Sequence, residues 1–338
     1  MVSVGIIGAS GFTGAELLRI CASHPELDVR FATGESQAGN RAADLYPSLA
    51  AAYPELVFQT WDSALAVQVD AVFIGLPHGA SQAIVPGLLG RVTVVDLAAD
   101  FRLPDAAGYR TWYGEDHACP ELLDRFVYGL PELHRKELVG ADAIAVPGCY
   151  PTAATLALAP LVRAGLVRTE GVIVDAVSGV SGAGRAPKAT TTFCAVDEDV
   201  TAYGILDHRH TAEMEMNLGA SVLFTPHLVP MNRGILATCY ARPAVEGLST
   251  EQVLGAQAEF YADEPFVVAA DRSPSTKATL GSNAAHVTAR YDARTDTVLA
   301  IGAIDNLGKG AAGQAVQCMN LAHGLPEGQG LSLVGTYP

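Results

Sequence analysis

One cysteine of the chain stands where the backbone has to turn. Cys149 follows Pro147 and Gly148 at the end of the apolar run AIAV (143–146), and Pro151 comes two residues later, where the first turn of a helix tolerates it. The sequence therefore predicts that the Cys149 sulfur lies at the N-terminus of a helix, where the dipole favours thiolate over thiol. That environment suits a covalent nucleophile, and the competing interpretation is a small buried residue.

A nucleophilic thiolate needs a base, and the segment DHRHTAE (207–213) supplies the candidates His208, His210 and Glu213. We expect one histidine to act as the base and the other to be structural. No cysteine or carboxylate motif completes a ligand set beside them, so no metal site is predicted. The remaining cysteines have no comparable Gly/Pro corner, and packing is the favoured interpretation for Cys21, Cys119, Cys194, Cys239 and Cys318.

A glycine-rich loop follows the first predicted strand. The stretch GASGFTG places Gly8, Gly11 and Gly14 three residues apart, between the strand VSVGIIGA and a helix. Glycines allow a tight turn and a close backbone approach, and the helix N-terminus offers N–H groups to a pyrophosphate. The spacing is not Gly-x-Gly-x-x-Gly, so a turn that binds nothing is the alternative. The position in the first strand–helix unit favours a dinucleotide site.

The end of the second predicted strand reads TGESQAG (33–39), where a ribose is normally recognised. Glu35 is suited to accept a hydrogen bond from a 2′-hydroxyl, as in NAD-binding proteins, whereas Ser36 and Gln37 can donate to a 2′-phosphate. A solvated loop position for Glu35 is the other interpretation. The residues alone therefore leave the choice between NAD and NADP open.

Four basic residues lie beside glycine-rich or charged turns, namely Arg102, Arg185, Lys188 and Arg209. The chain has only 21 Lys and Arg residues against 36 Asp and Glu residues, so this placement favours an anionic substrate. A guanidinium group matches a carboxylate or a phosphate. For each residue alone, pairing with a surface acid is the alternative.

The composition excludes several classes of partner. The net charge of −15 argues against nucleic acid and disfavours docking to an acidic carrier protein. No apolar run approaches the roughly 20 residues of a membrane span, and the N-terminus lacks the basic region of a signal peptide. Six cysteines without a Cys-x-x-Cys pair are typical of reduced thiols. We therefore expect a cytoplasmic protein with a small-molecule partner and no membrane partner.

The apolar pattern changes near residue 150. Before it, strand-like and helix-like stretches alternate, and runs such as DAVFIGLP and VTVVDLAAD are typical of strands covered on both faces. After it come long strands, with a hairpin turn expected at Thr295 and Asp296. The fold class predicted is α/β, a Rossmann-like doubly wound parallel sheet plus a second α+β domain with a largely antiparallel mixed sheet.

Ten stretches in chain order carry a resemblance to a known family: VGIIGASGFTGAELLR, SQAG, GLPHGAS, VVDLAADFRL, YGLPE, VPGCYPTA, SGVSGAGR, HRHTAE, FTPHLVPMNRGILATCY and DNLGKGAAGQA. With them the chain resembles the phosphorylating semialdehyde dehydrogenases, most closely the branch that acts on N-acetylglutamyl phosphate in arginine biosynthesis. The resemblance implies a dinucleotide domain at 1–148, completed by a C-terminal helix in 306–338. It also implies a catalytic and oligomerisation domain at 149–305.

The same resemblance implies roles for single residues. Cys149 would be the nucleophile, and His208 is the favoured acid/base, positioned by Glu213, with His210 as the alternative. The cofactor is expected to be NADP, with NAD not excluded because Glu35 stands where the family often has Arg. A homodimer or homotetramer is expected. The implied cofactor contacts are Gly8, Ser10, Gly11, Phe12, Thr13, Gly14, Ser36, Gly182 and Asn306.

The implied reaction reduces an acyl phosphate to a semialdehyde and phosphate through a cysteine thioester, with the substrate anion near Arg102, Arg185, Lys188 or Arg209. Aspartate-semialdehyde dehydrogenase is an alternative with the same chemistry. A reductase of a carrier-linked aminoadipyl or glutamyl phosphate is another. A dinucleotide-sensing regulator is the non-enzyme alternative, although it would have no use for a thiol at a helix N-terminus beside a histidine-rich segment.

Overall fold

The structure, a computed structural model, describes residues 1–338. Thirteen strands are formed: β1 (Val2–Ile7), β2 (Leu27–Ala32), β3 (Ala71–Ile74), β4 (Thr93–Asp96), β5 (Val127–Tyr128), β6 (Ala143–Ala145), β7 (Val172–Gly179), β8 (Thr201–Ala202), β9 (Val222–Val229), β10 (Ile235–Ala241), β11 (Val267–Ala269), β12 (Ala285–Asp292) and β13 (Thr297–Ile304). Ten α-helices are formed: α1 (Phe12–Ser23), α2 (Ala42–Leu45), α3 (Ala106–Tyr113), α4 (Pro131–Leu138), α5 (Cys149–Arg163), α6 (Phe193–Val196), α7 (His210–Leu218), α8 (Thr250–Phe260), α9 (Thr276–Thr279) and α10 (Gly313–Ala322).

The chain divides into two compact units. The first contains Met1–Pro147 and Ala311–Leu331, and the second contains Gly148–Gly310 and Ser332–Pro338. The sequence predicts instead that the whole of 306–338 completes the first domain.

Hydrogen bonds within the second unit explain this difference. The Gly310 amide donates to the Asp305 carbonyl at 2.9 Å, which keeps the residues after β13 beside that strand. The Asn283 amide donates to the Ser332 carbonyl at 2.8 Å, and the Thr336 amide donates to the Leu280 carbonyl at 2.7 Å. The last residues of the chain therefore stay with the second unit, and α10 is the part that packs in the first.

The first unit is built on a parallel sheet. Its six strands follow the order β2-β1-β3-β4-β6-β5, and all neighbouring pairs are parallel. All four residues of β3 are buried, because alternate side chains enter apolar clusters on the two faces. Phe73 packs in the cluster that holds Leu17 of α1 and Met319 of α10, and Val72 packs in the opposite one with Val85. The predicted doubly wound sheet is confirmed.

The second unit is built on a mixed sheet. Its seven strands follow the order β11-β12-β13-β10-β7-β9-β8, and four of the six neighbouring pairs are antiparallel. The hairpin between β12 and β13 turns at the predicted residues, with Asp296 in the left-handed region at φ 50°. The predicted α+β domain with a largely antiparallel sheet is therefore confirmed.

Helix α5 is the central helix of the second unit, and a glycine allows it to approach the sheet closely. A Cβ atom at Gly302 of β13 would lie 2.5 Å from the carbonyl oxygen of Ala153 in α5. Helix α8 packs against α5 as well, because Gln257 and Tyr261 donate side-chain hydrogen bonds to the carbonyls of Ala157 and Leu156. The position of α5 therefore depends on the missing side chain at residue 302.

We expect Gly302→Ala to lower the free energy of unfolding by about 1–3 kcal/mol, because the new methyl group collides with backbone that cannot move freely. Gly255→Ala is the matched control, since Gly255 lies inside α8 with no atom within 4 Å of its would-be Cβ. That change should stabilise the protein by about 0.5–1 kcal/mol. Urea unfolding of both variants measures the difference, and equal effects would contradict the close approach at Gly302.

Candidate active site

Cys149 begins helix α5. Gly148 is the N-cap residue of this helix, and no side chain caps it, so the first-turn N–H groups are not satisfied by a cap. The side chain of Cys149 is partly exposed, whereas Cys21, Cys119, Cys239 and Cys318 are buried. The predicted location of the cysteine at a helix N-terminus is confirmed. A thiolate there is favoured by the dipole of a 15-residue helix.

His210 lies directly against the residue before the cysteine. A Cβ atom at Gly148 would be only 2.4 Å from the Nε2 atom of His210, so the approach requires glycine. The Gly148 amide donates to the Oε2 atom of Glu213 at 2.8 Å, and Glu213 is fully buried. The sequence alone indicates only a turn at Gly148. Its role in admitting His210 is a contact that the local pattern does not reveal.

Glu213 accompanies His210, not His208. The Oε1 atom of Glu213 is 4.0 Å from the Nε2 atom of His210, one helical turn away in α7. The structure therefore places Glu213 beside His210, and the expectation that Glu213 positions His208 stays a prediction. The reason is the start of α7 at His210, which places residues 210 and 213 on the same face of one turn and leaves His208 before the helix.

His208 supports the neighbouring histidine. Its Nδ1 atom accepts a hydrogen bond from the His210 amide at 3.2 Å, and the two rings meet edge to face with centroids 4.7 Å apart. Tyr150 and Phe224 pack edge-on against the same ring. Burial, followed by the positive charge of Arg209, lowers the pKa of His208 to about 4. A histidine with that pKa is neutral and weakly basic near neutral pH.

The loop that follows β13 packs against Cys149. A Cβ atom at Gly310 would lie 2.9 Å from the Cβ atom of Cys149, so this loop also requires glycine at the contact. Its conformation depends on Asp305, a fully buried carboxylate. Asp305 accepts hydrogen bonds from the Arg233 guanidinium at 3.1 Å, the Gly281 amide at 2.6 Å and the Leu307 amide at 2.8 Å.

Two of the predicted cofactor residues meet in the second unit. Asn306 accepts from the Gly234 amide at 2.7 Å and donates to the Ser181 hydroxyl at 2.9 Å. Gly182 adjoins this pair, since its would-be Cβ is 3.9 Å from the Nδ2 atom of Asn306. The loop that contains Gly182 is thus bound to the end of β13 through side-chain hydrogen bonds.

The four predicted substrate residues are divided between the units. Arg102 belongs to the first unit, where it is buried and donates to the Leu97 carbonyl at 2.9 Å. Arg185, Lys188 and Arg209 belong to the second unit, with Arg185 half-buried and the other two exposed. Arg233, which the local sequence pattern does not indicate, is a further half-buried cation of the second unit and pairs with Asp305 at 3.0 Å.

The glycine loop of the first unit fits a dinucleotide pyrophosphate. Gly8 has φ 83°, and a Cβ atom there would lie 2.5 Å from the Gly75 carbonyl oxygen. At Gly14 a Cβ atom would collide with Ala9. Gly11 is different, because a Cβ atom there would meet nothing closer than 3.6 Å, and no side chain caps helix α1. The tight turn thus explains Gly8, and the packing against Ala9 explains Gly14. Gly11 leaves open space beside the uncapped N–H groups of the first helical turn, which include those of Phe12 and Thr13.

The end of β2 lies beside this loop. Thr33 accepts from the Gly8 amide through its hydroxyl, and Tyr46 donates to the Ser10 carbonyl at 2.8 Å. The predicted ribose residues form a short turn, Glu35–Gln37, in which Ser36 is exposed. The Oε1 atom of Glu35 accepts a hydrogen bond from the Trp61 amide at 2.9 Å. One carboxylate oxygen of Glu35 is therefore engaged by the protein itself.

No helix of the structure has both the length and the apolar character that crossing a membrane requires. The cytoplasmic location stays a prediction.

Two family models together cover most of the chain. Residues 3–141 match the semialdehyde dehydrogenase NAD binding domain, and residues 149–306 match the semialdehyde dehydrogenase dimerisation domain. Solved structures agree at the level of the fold. Aspartate semialdehyde dehydrogenase II from Vibrio cholerae, complexed with ASA, has a TM-score of 0.70 at 18% identity and covers 95% of this chain and 98% of its own. The chain is a semialdehyde dehydrogenase by family, and its first unit is a nicotinamide dinucleotide-binding domain.

Similar sequences narrow the family. A relative from Symbiobacterium thermophilum, named N-acetyl-gamma-glutamyl-phosphate reductase, is 49% identical over 100% of this chain and 99% of its own length. One of the same name from Geobacter sulfurreducens is 46% identical over the full length of both chains. This chain belongs to the N-acetyl-γ-glutamyl-phosphate reductase family.

Proposed function

We propose that this chain reduces N-acetyl-γ-glutamyl phosphate to N-acetylglutamate 5-semialdehyde and phosphate, a reaction of arginine biosynthesis. The observation that carries the proposal is the corner at Gly148. There a cysteine begins a helix, a histidine lies against the preceding glycine, and a buried carboxylate binds the amide of that glycine. Membership of the reductase family supports the same substrate and reaction.

Cys149 is the nucleophile of the proposed reaction. Its thiolate attacks the carbonyl carbon of the acyl phosphate, the C–O bond to the phosphate breaks, and a thioester remains on the sulfur. A bound nicotinamide dinucleotide supplies the hydride for the reduction. The protein then has to release the aldehyde from the sulfur and recover the thiolate, which requires a proton-transferring group beside Cys149.

His210 is that group in our proposal. It adjoins the Gly148–Cys149 corner, and the Glu213 carboxylate lies 4.0 Å from its Nε2 atom. His208, whose pKa burial lowers to about 4, is poorly matched to proton transfer near neutral pH. Its proposed role is to hold the backbone and the ring of His210.

Three cations of the second unit are proposed to bind the anionic groups of the substrate. Arg185, Lys188 and Arg209 lie in the same unit as Cys149, in a chain whose net charge of −15 otherwise repels an anion. Arg102 is already bound to the Leu97 carbonyl and lies in the other unit, so its predicted contact with the substrate has less support.

NADP is the proposed cofactor, with NAD as the alternative. Glu35, the residue that would select NAD, binds the Trp61 amide with one of its oxygens, and Ser36 is exposed on the same turn. An aspartate semialdehyde dehydrogenase from Candida albicans, of the same fold with a TM-score of 0.70 at 15% identity, was solved with NADP. The proposed contacts in the first unit are the glycine-loop residues and Ser36, and the roles of Gly182 and Asn306 stay predictions from the family resemblance.

In the reverse assay, with N-acetylglutamate 5-semialdehyde, phosphate and NADP, we expect phosphate-dependent reduction of NADP by the wild type. Cys149→Ala should lower the rate by about 10⁴-fold or more, because the thioester cannot form. Cys194→Ala, which removes an exposed thiol of the same unit, is the control and should keep full activity. Measuring kcat/KM with NAD in the same assay tests the cofactor, and the value for NADP should be higher.

Activity that survives Cys149→Ala would contradict the covalent route. Turnover of aspartate semialdehyde in place of the N-acetylated substrate would instead assign the alternative dehydrogenase function. A protein that binds dinucleotide but turns over neither semialdehyde would be the regulator.

The two histidines should differ strongly in kcat. We expect His210→Asn to lower kcat by about 10²–10⁴-fold, because the proton-transferring group is lost. His208→Asn should lower kcat by less than about tenfold, since the amide oxygen of Asn can replace Nδ1 as acceptor for the His210 amide. Steady-state kinetics of both purified variants measures this, and a larger loss in His208→Asn would return the acid/base role to His208.

A second copy of the chain is the proposed partner. Helices α5 and α8 pack on one face of the seven-stranded sheet, and the strand pairing aligns an apolar row on the other. In this row Leu299, Tyr240, Ile173 and Leu223 stand side by side across four strands, the last three at least 37% exposed. An uncovered row of this kind favours a protein interface, and the match to a dimerisation domain favours a homodimer or homotetramer.

We expect sedimentation velocity to show a dimer or a tetramer for the wild type. Ile173→Glu, which places a charge in the centre of the row, should shift the protein to the monomer. Val139→Glu is the matched control, because Val139 is an exposed apolar residue that belongs to the first unit. A monomeric wild type, or equal dissociation of both variants, would contradict the proposed interface.

A further inference from the structure

Two buried carboxylates of the first unit share one hydroxyl group. The Ser81 hydroxyl lies 2.9 Å from the Oδ2 atom of Asp96 and 2.7 Å from the Oδ2 atom of Asp100. All three residues have no solvent exposure. The reaction proposed above uses none of these side chains, so the cluster needs an explanation of its own.

A single proton on Ser81 cannot satisfy both contacts. Asp100 also accepts from the Gly79 amide at 2.7 Å and the Ser81 amide at 3.1 Å, and the Nδ1 atom of His78 lies 2.8 Å away. Two amide donors and the nearby His78 ring surround one carboxyl group, which is the environment of an ionised carboxylate, and this carboxylate also accepts the hydrogen bond of the Ser81 hydroxyl. The contact between Ser81 and Asp96 is then a hydrogen bond only if Asp96 is protonated and donates.

The surrounding charges agree with this assignment. Burial is the largest effect on Asp96 and, with the charge of Asp100, raises its pKa to about 7, although the Ala98 amide, the Ser81 hydroxyl and Arg102 act in the opposite direction. Burial, the largest effect, would raise the pKa of Asp100 too, but His78, the Gly79 amide and the Ser81 hydroxyl together outweigh it and lower that pKa to about 2.

Two further titratable groups face the cluster from α3 and the segment that follows it. Glu115 contacts the Nε2 atom of His78 at 3.0 Å, and His117 contacts the Asp100 carbonyl at 3.0 Å. Tyr113 stacks on the His78 ring at 4.5 Å. None of these groups contacts the Asp96 carboxyl group, whose hydrogen bonds go to Ser81 and the Ala98 amide.

The hydrogen bonds among Ser81, Asp96 and Asp100 fix the loop that borders the dinucleotide site. We name residues 75–81, which follow β3, the β3 loop. Its first residue touches the glycine loop, since a Cβ atom at Gly8 would meet the Gly75 carbonyl, and its last residue is Ser81. In the sheet, β2 and β3 lie on opposite sides of β1, so the strand order reverses at β1. A dinucleotide binds at such a switch point, outside the carboxyl ends of the strands.

We propose that Asp96 is a positioning residue for the dinucleotide. The protonated Asp96 carboxyl group donates a hydrogen bond to Ser81, and Ser81 together with Asp100 fixes the β3 loop. Loss of the Asp96 proton loosens the loop and weakens dinucleotide binding. The step is a simple acid dissociation, in which the Asp96 O–H bond breaks and the proton goes to solvent. Two carboxylates then face one hydroxyl, and the contact between Ser81 and Asp96 becomes repulsive. This rests on dinucleotide binding by the first unit and not on the identity of the acyl phosphate.

The test compares NADPH binding to the full chain and to Asp96→Asn between pH 6 and pH 9, by fluorescence titration without substrate. The amide of Asn donates to Ser81 at every pH and so mimics the protonated carboxyl group. The Kd of the wild type for NADPH should rise several-fold as the pH rises above about 7. If binding strictly requires the Asp96 proton, the rise reaches about tenfold per pH unit. The Kd of Asp96→Asn should stay level.

Asp70→Asn is the matched control. Asp70 also accepts hydrogen bonds from a serine of the same unit, Ser3, but it is exposed and these hydrogen bonds lower its pKa. The Kd of Asp70→Asn for NADPH should follow the pH profile of the wild type. Parallel profiles for the wild type and Asp96→Asn, or an equal loss of affinity at all pH values in Asp96→Asn, would overturn the proposal. Because no turnover is measured, failure of the proposed reductase activity would leave this result intact.

Stability of the dinucleotide-free protein gives a second readout. The pKa of Asp96 is raised on folding from about 3.9 to about 7, so the folded state keeps a proton that the unfolded chain has lost. The contribution of Asp96 to the free energy of unfolding of the wild type therefore falls as pH rises between these values. The melting temperature of Asp96→Asn relative to the wild type should increase from pH 5 to pH 8, and a constant difference would contradict a protonated Asp96.

Discussion

The hydrogen bond between the Gly148 amide and the Glu213 carboxylate is the contact on which the candidate active site depends. It ties the first residue before α5 to the first turn of α7, two helices whose starting residues carry the reactive groups. Glu213 is fully buried, so this contact gives its carboxylate a donor that solvent does not provide. Because the same helical turn carries His210, the contact also sets the distance between the histidine and the cysteine corner.

Glycines give this site its close packing. Side chains at Gly148 and Gly310 would collide with His210 and with Cys149, and one at Gly302 would push α5 away from the sheet. None of these three has a left-handed backbone conformation, so the requirement comes from space and not from φ. Proximity of reacting groups is among the largest contributions to enzymatic rates, and here backbone without side chains makes it possible.

In the first unit, buried polar groups fix the position of a loop. The residues of β3 are all apolar and buried, yet Asp96 at the end of β4 lies beside Ser81 and Asp100, which follow β3 and β4. A buried carboxylate with three hydrogen-bond donors holds a loop more firmly than apolar packing would, because each missing donor costs the desolvation of a buried charge. The parallel sheet thus supplies a rigid base, and the hydrogen-bonded loop supplies the edge of the dinucleotide site.

The sequence by itself determined the fold class, the helix N-terminal position of Cys149, the glycine loop and the family, because short contiguous patterns encode each of them. The tertiary structure alone decided which histidine accompanies the cysteine. Glu213 reaches Gly148 across 65 positions of the chain, and no local period encodes such a contact. The same holds for the return of 306–310 to the second unit and for the pairing of Asp96 with Ser81. In each case the partner is chosen by the path of the backbone and by the need of a buried polar group for a hydrogen bond.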